Sequence, residues 1–180
     1  MQRDVVQQLL DYVEKRYRKN PAKVYRNSLI LLLLADAGLS CREVAQLSVT
    51  DIEEGFITAG SGRKRRKIPM TFRLKGVLER YMPLLGNGSS GPLLPGRKGR
   101  LSARGVQSIV SRLAAGAGVK VTAKDLTESF VRKMVERGVR PEVIATLGGF
   151  SRLDALRRFS DGVDFDDLCK AVRLLETTAG

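Results

Sequence analysis

The sequence predicts a mainly helical α+β domain, a helical bundle that carries one small antiparallel β-hairpin. Three observations predict it. Apolar residues recur at helical spacing through most of the chain. One stretch, Phe56 to Met70, abandons that period for two short strand-like pieces about a Gly-Ser-Gly turn. No internal repeat or heptad pattern extends any helix into a coiled coil. At 180 residues, 43% of them hydrophobic, the chain suits one compact unit with its own core, so residues 1–180 are expected to form a single domain.

The elements follow in order. Val5, Val6, Leu9, Leu10 and Val13 mark an amphipathic helix that runs to about Lys19 and is ended by Asn20-Pro21. A second helix, Ala22 to Ala37, is apolar all round at Leu29 to Leu34, which places it at the centre of the core, and Gly38 closes it. A short helix spans Arg42 to Leu47. Strands at Phe56 to Ala59 and Arg66 to Met70 make the hairpin. Phe72, Leu74, Val77, Leu78, Tyr81, Leu84 and Leu85 restore the helical period until GNGSSGP breaks it, and Gly86 to Arg100 reads as a loop. Ser102 caps a helix faced by Val106, Ile109, Val110 and Leu113 and ended by Gly116 and Gly118. Thr122 opens a helix with Leu126, Phe130, Met134 and Val135, and Pro141 starts one with Val143, Ile144 and Leu147. A short helix near Leu153 to Phe159 and a last one from Phe165 to about Leu175 complete the set.

Charge says more about function than composition does. There are 32 Lys and Arg against 19 Asp and Glu, the balance of a polyanion binder. Between Gly60 and Arg104 stand twelve basic residues and one acid, Glu79, so this segment holds most of the net +13. The C-terminal stretch is acidic, with Asp161, Asp164, Asp166, Asp167 and Glu176 against Lys170 and Arg173, and is not expected on phosphate. With no histidine and no CxxC pair, ligands for a zinc site are lacking. Cys41 and Cys169 lie in apolar-periodic stretches and read as small hydrophobes. The run Leu29 to Ala35 is far shorter than the ~20 residues of a membrane span. No cofactor and no membrane partner are expected, and the cytoplasm, on the nucleoid, is the expected location.

Three local matches carry a resemblance. SLILLLLADAGLSCREVAQLSVTDIE resembles the leucine-rich helix and TGLRxSEL turn of the tyrosine recombinase (phage integrase) family, GSGRKRRKIPM resembles its GKGxKxRxVPL hairpin, and KDLTESFVRKMVERGVRPEVIATLGGFS resembles its HxLRHTFATHL...LLGHxS block. In order and with similar spacing, they cover essentially the whole chain, as in the Xer-like members. The resemblance implies the family's catalytic-domain fold. It also implies a chemistry in which a tyrosine attacks a phosphate held by two arginines, a hairpin lysine and histidine-type donors.

Carried onto this sequence, those roles fall on Ser40 and Thr127 for the arginines, Ser61 for the lysine, Lys124 and Gly149 for the histidines, and Arg158 for the tyrosine. A hydroxyl cannot replace a bidentate, permanently charged guanidinium, and Tyr12, Tyr17, Tyr25 and Tyr81 all precede the region where the nucleophile belongs. The reading is therefore a protein without enzymatic activity that keeps the family's DNA-binding surface. Duplex DNA is its partner. It would be held by Arg63, Lys64, Arg65, Arg66 and Lys67 on the hairpin, by Lys98 and Arg100 before the Ser102 helix, by Arg104, Gln107, Ser108 and Arg112 along that helix, and by Lys124.

A family member usually carries an N-terminal core-binding domain, and none is expected here, since a single helix precedes the leucine-rich one. The alternatives are a paralogue that binds an active recombinase or a second copy through Asp161 to Leu175, a DNA-cleaving recombinase with unconventional residues, and a helix-turn-helix regulator. LSCREVAQLSVTDIEEG and PEVIATLGGFSRLDALRRF have some helix-turn-helix character. The first, however, is one residue short between Ala45 and Val49.

Overall fold

The structure, a computed structural model, describes residues 4–86, 90–149 and 165–176. Helix α1 (Val5–Tyr17) opens on Asp4, whose carboxylate accepts from the Val6 amide at 3.1 Å. It turns back through residues 18–20 onto α2 (Pro21–Ala35), where Asn20 accepts from Lys23 N and Pro21 takes the first helical position, the place where a missing N–H costs nothing. Every residue of α2 from Asn27 to Ala35 is buried, as an all-apolar helix requires. α1 ends two residues before its expected limit, and α2 starts one residue and ends two residues before its expected limits, within ordinary fraying: Ala37 lies beyond α2, whose cap is Asp36. That cap also acts as a clamp. The Asp36 carboxylate accepts from Arg73 Nε and Nη2, both at 2.6 Å, and from Thr71 Oγ1 at 2.9 Å. Gly38 then takes φ +65°, and a Cβ there would lie 2.5 Å from Phe130 Cδ1. Only glycine admits both that backbone and the fully buried Phe130 ring.

After α3 (Cys41–Gln46) the chain enters a three-stranded antiparallel sheet in the order β1 (Ile52–Glu53), β2 (Phe56–Ala59), β3 (Arg66–Pro69), with Ile57 opposite Ile68 and Ala59 opposite Arg66. The hairpin was predicted, and β1 was not: two residues in an acidic stretch show no period-two pattern. Helix α4 (Phe72–Tyr81) continues as a 3-10 turn at Met82–Leu84.

The segment read as a loop is tied down more firmly than its composition suggests. Leu93 and Leu94 are buried, Tyr81 Oη donates to the Leu93 carbonyl at 3.1 Å, Leu93 N donates to Leu47 O, and β4 (Pro95–Gly96) pairs with β5 (Gly99–Arg100). Helix α5 (Ala103–Ala117) corrects the role given to Gly116, which lies inside the helix. A Cβ there would sit 2.1 Å from Tyr12 Oη, so this glycine lets α1 approach α5 closely, and Gly118, at φ +70°, is the terminator.

Helices α6 (Ala123–Glu136), α7 (Pro141–Gly148) and α8 (Phe165–Glu176) complete the described chain, and the helix expected near Leu153 to Phe159 lies outside the described residues. One continuous core joins α1, α2, α4, α5, α6 and α7, with Ala171 and Val172 of α8 also inside it. α8 packs against α6, α7 and β3 of its own chain. Among the described residues no helix is long and apolar enough to cross a membrane.

Candidate nucleic-acid interface

Local sequence places the first position of interest. Ser40 is the N-cap of α3: its hydroxyl accepts from Glu43 N at 3.3 Å, and Glu43 Oε2 accepts in return from Ser40 N at 2.9 Å and from Ser40 Oγ at 3.0 Å, a reciprocal capping box. The other carboxylate oxygen of Glu43 receives Arg66 Nη1 at 2.5 Å, while Arg66 Nε donates to the Leu147 carbonyl at 2.6 Å. One guanidinium thus joins α3, β3 and the end of α7.

Gly149 closes this arrangement from the other side. It caps α7 at φ +61°, and a Cβ on it would lie 2.6 Å from Arg66 Nη1. Burial pushes the Glu43 carboxyl up, but the hydrogen bond and charge of Arg66, with the bonds from Ser40, outweigh it and hold the group below its ordinary value. Thr127 Oγ1 donates to Leu39 O at 3.0 Å, beside Ser40, with Ala123 O at 3.2 Å. Replacing Thr127 with valine strands the Leu39 carbonyl, and thermal or urea unfolding should register a loss of about 1 kcal/mol.

The structure therefore brings Ser40, Thr127 and Gly149 to one place and fills it with Glu43 and Arg66, two residues that form the centre of the cluster. Lys124, one turn before Thr127, keeps an 83% exposed side chain beside Glu128 at 3.5 Å. Ser61 is exposed in the hairpin turn, ahead of a 3-10 turn at Gly62–Lys64. Arg158 lies outside the described residues. The four tyrosines are Tyr12, Tyr17, Tyr25 and Tyr81. Among the described residues no group of three or more Asp, Glu, Cys or His could hold a metal ion.

Of the residues expected to face DNA, Arg66 is corrected: it is only 9% exposed, because strand alternation turns it inward while Arg65 and Lys67 on either side point out. Arg100 is exposed as a residue, yet its guanidinium is engaged in the chain, donating to Gln46 O and Leu47 O at 2.8 Å and to Ser48 Oγ at 2.6 Å. It staples the loop to the end of α3. Arg63, Lys64, Arg65 and Lys67 are exposed, with Lys67 Nζ 4.3 Å from the centre of the Phe56 ring. Lys98 is exposed in the turn between β4 and β5. Arg104, Gln107, Ser108 and Arg112 all lie on the exposed face of α5, opposite Val106, Ile109, Val110 and Leu113. Arg112 Nε reaches back to Ser108 O at 3.4 Å.

The model of the phage integrase family matches residues 1–162. The chain is 34% identical over 167 residues to tyrosine recombinase XerA of Pyrococcus horikoshii, covering 86% of this chain and 58% of that protein. It is 28% identical to tyrosine recombinase XerC of Neisseria meningitidis serogroup C, over 81% of this chain and 50% of that one. The chain thus spans little more than half the length of these relatives. Among solved structures, the XerA recombinase superposes with a TM-score of 0.70 at 20% identity, over 94% of this chain and 62% of that one. The XerH recombinase bound to its difH substrate gives 0.68 at 20% identity, over 89% and 49%. Both confirm a mostly helical fold with a small antiparallel sheet.

These relatives correct one expectation. The replaced positions suggested a protein without enzymatic activity, but the relatives at 28–34% identity are tyrosine recombinases, so the kinship points to an enzyme. Taken with a shared fold and a family model that spans nine tenths of the sequence, they establish that this chain belongs to the phage integrase family.

Proposed function

We propose that this chain is a duplex-DNA-binding domain acting in DNA recombination, and that it grips the sugar-phosphate backbone through the β2–β3 hairpin while α5 lies toward the bases. The observation that carries the reading is the placement of charge. Arg63, Lys64, Arg65 and Lys67 project from a short hairpin whose apolar residues, Ile57 and Ile68, are fully buried beneath it. A solvated turn has no need of that density, and phosphate contacts do.

The exposed row of α5 supports the second half. Arg104, Ser108 and Arg112 recur every fourth residue with Gln107 beside them, and arginine and glutamine are side chains suited to hydrogen-bond base edges in a major groove. Solved structural neighbours include the XerH recombinase bound to its difH substrate and the Tn1549 transposon integrase in complex with circular intermediate DNA, which supports the same partner here. Lys98 and Lys124 add contacts at the margins, and the nucleoid is the compartment in which such a domain meets its duplex.

The test is binding measured against salt. If about five phosphates are neutralised, the slope of log K against log salt should be near about −4.5. A flat response, or no binding at low ionic strength, would remove the proposal.

A further inference from the structure

Outside residues 60–104 the chain carries a second basic surface, at the elbow between α1 and α2. From Lys15 to Arg26 the sequence reads KRYRKNPAKVYR, six cations and no acid. The turn folds them together. Lys15, Arg16, Arg18, Lys19 and Lys23 are all exposed, and with Tyr17 and Asn20 they line a concavity of about 420 Å³.

Two of the cations are gathered over one ring: Arg16 Cζ lies 5.7 Å and Lys23 Nζ 6.0 Å from the centre of Tyr17. That arrangement relieves part of their mutual repulsion. Ion pairs are formed elsewhere, by Arg66, Arg73, Lys75, Lys124, Lys133 and Arg140 among others. The elbow therefore concentrates positive charge that carboxylates of the described chain leave uncompensated.

Its position separates it from the interface above. α2 has 15 residues, a length of about 22 Å at 1.5 Å per residue. The elbow sits at its N-terminal end, and Ser40, Glu43 and Arg66 lie just past its C-terminal end.

We propose that the α1–α2 elbow is a second contact surface for the phosphate backbone of duplex DNA, independent of the hairpin. Charge complementarity selects the occupant: five clustered cations on a concave surface match a phosphodiester row. A lipid surface fits less well. Among the described residues the exposed large hydrophobic ones are Val5, Phe72, Leu84, Val135 and Leu174, none of them in the elbow, whereas a membrane-lying basic segment needs an apolar face to insert. The inference rests on the reading of the domain as a DNA binder and extends its footprint.

The experiment compares three double or triple variants with the intact chain in salt-titrated duplex binding. Arg18→Gln with Lys19→Gln changes only the turn, so the fold should survive, as circular dichroism would verify. Its slope should shrink by up to about 1.8. Arg80→Gln with Arg132→Gln removes the same charge elsewhere and should leave the slope near that of the parent. A hairpin variant, Arg63→Ala with Lys64→Ala and Arg65→Ala, reports on the first interface.

If the elbow variant behaves like the Arg80 and Arg132 control while the hairpin variant loses slope, the elbow proposal falls and the DNA-binding reading stands. If the intact chain shows no salt-dependent binding, both fall together. Should the elbow variant lose binding to vesicles rich in anionic lipid and none to duplex, the surface belongs to a membrane and the proposal is overturned.

Discussion

Replacing Arg66 with methionine should lower the unfolding free energy by about 3 kcal/mol, the lower end of the range for breaking a buried ion pair. The lower end applies because the Glu43 side chain keeps 17% of its exposure while that of Arg66 keeps 7%. Methionine fills the volume of the stem, so the loss reports on the guanidinium: Glu43 is left desolvated without its cation, and the Leu147 carbonyl loses its donor. Denaturation midpoints read the effect directly, and an unchanged midpoint would show that the pair contributes nothing net.

The pH dependence gives the same residue a second reading. In the intact chain the Glu43 carboxyl is held below its ordinary value of 4.5. Its stabilising contribution is therefore complete above about pH 4.5 and fades as pH falls through the depressed folded value. In the Arg66→Met variant the burial that opposes ionisation is no longer offset, so the sign inverts and acidification should recover part of the lost stability. Glu43→Gln should remove the titration altogether. Urea unfolding at a series of pH values from neutral to below pH 4 separates the three curves.

The second large effect concerns binding. Changing Arg63, Lys64 and Arg65 to alanine removes up to three phosphate contacts, and the salt slope should shrink by up to about 2.7, a roughly forty-fold smaller loss of affinity between 50 and 200 mM salt. Arg66 must stay in such a variant, because its removal would confound binding with folding. Arg104→Ala with Arg112→Ala, on α5, should instead change the preference among duplex sequences more than the salt slope, since a helix in a groove reads bases while a hairpin on the backbone sets position. Matched and random duplexes, tested with both variants, distinguish the two roles. A hairpin variant that binds like the parent at every salt concentration would mean that the duplex lies on another face.

The sequence by itself determined the class of fold, most helix positions and the hairpin, because these depend on local periodicity and on caps formed within four residues. Ser102, Thr122 and Asn20 illustrate this, each accepting from the amide three residues on. It also determined the family, since three motifs in order are a property of the linear chain. The elements it missed are those whose partners are distant in sequence. β1 exists only because β2 pairs with it, the segment 90–100 is ordered by Leu47, Ser48 and Tyr81, and Gly116 is explained only by Tyr12 on another helix.

The same reason decided the fate of individual arginines. In the sequence Arg65 and Arg66 are equivalent members of a basic run. Only the fold, by setting Glu43 and the Leu147 carbonyl within reach of one of them, makes Arg66 a buried strut and leaves Arg65 to solvent. The elbow cations were legible as letters but not as a surface, because it takes the reversal of α1 onto α2 to bring Lys15 and Lys23 to one concavity. Local structure depends on neighbours in the chain, whereas burial, pairing and surface charge depend on neighbours in space, and the latter are settled only when the helices close on the core.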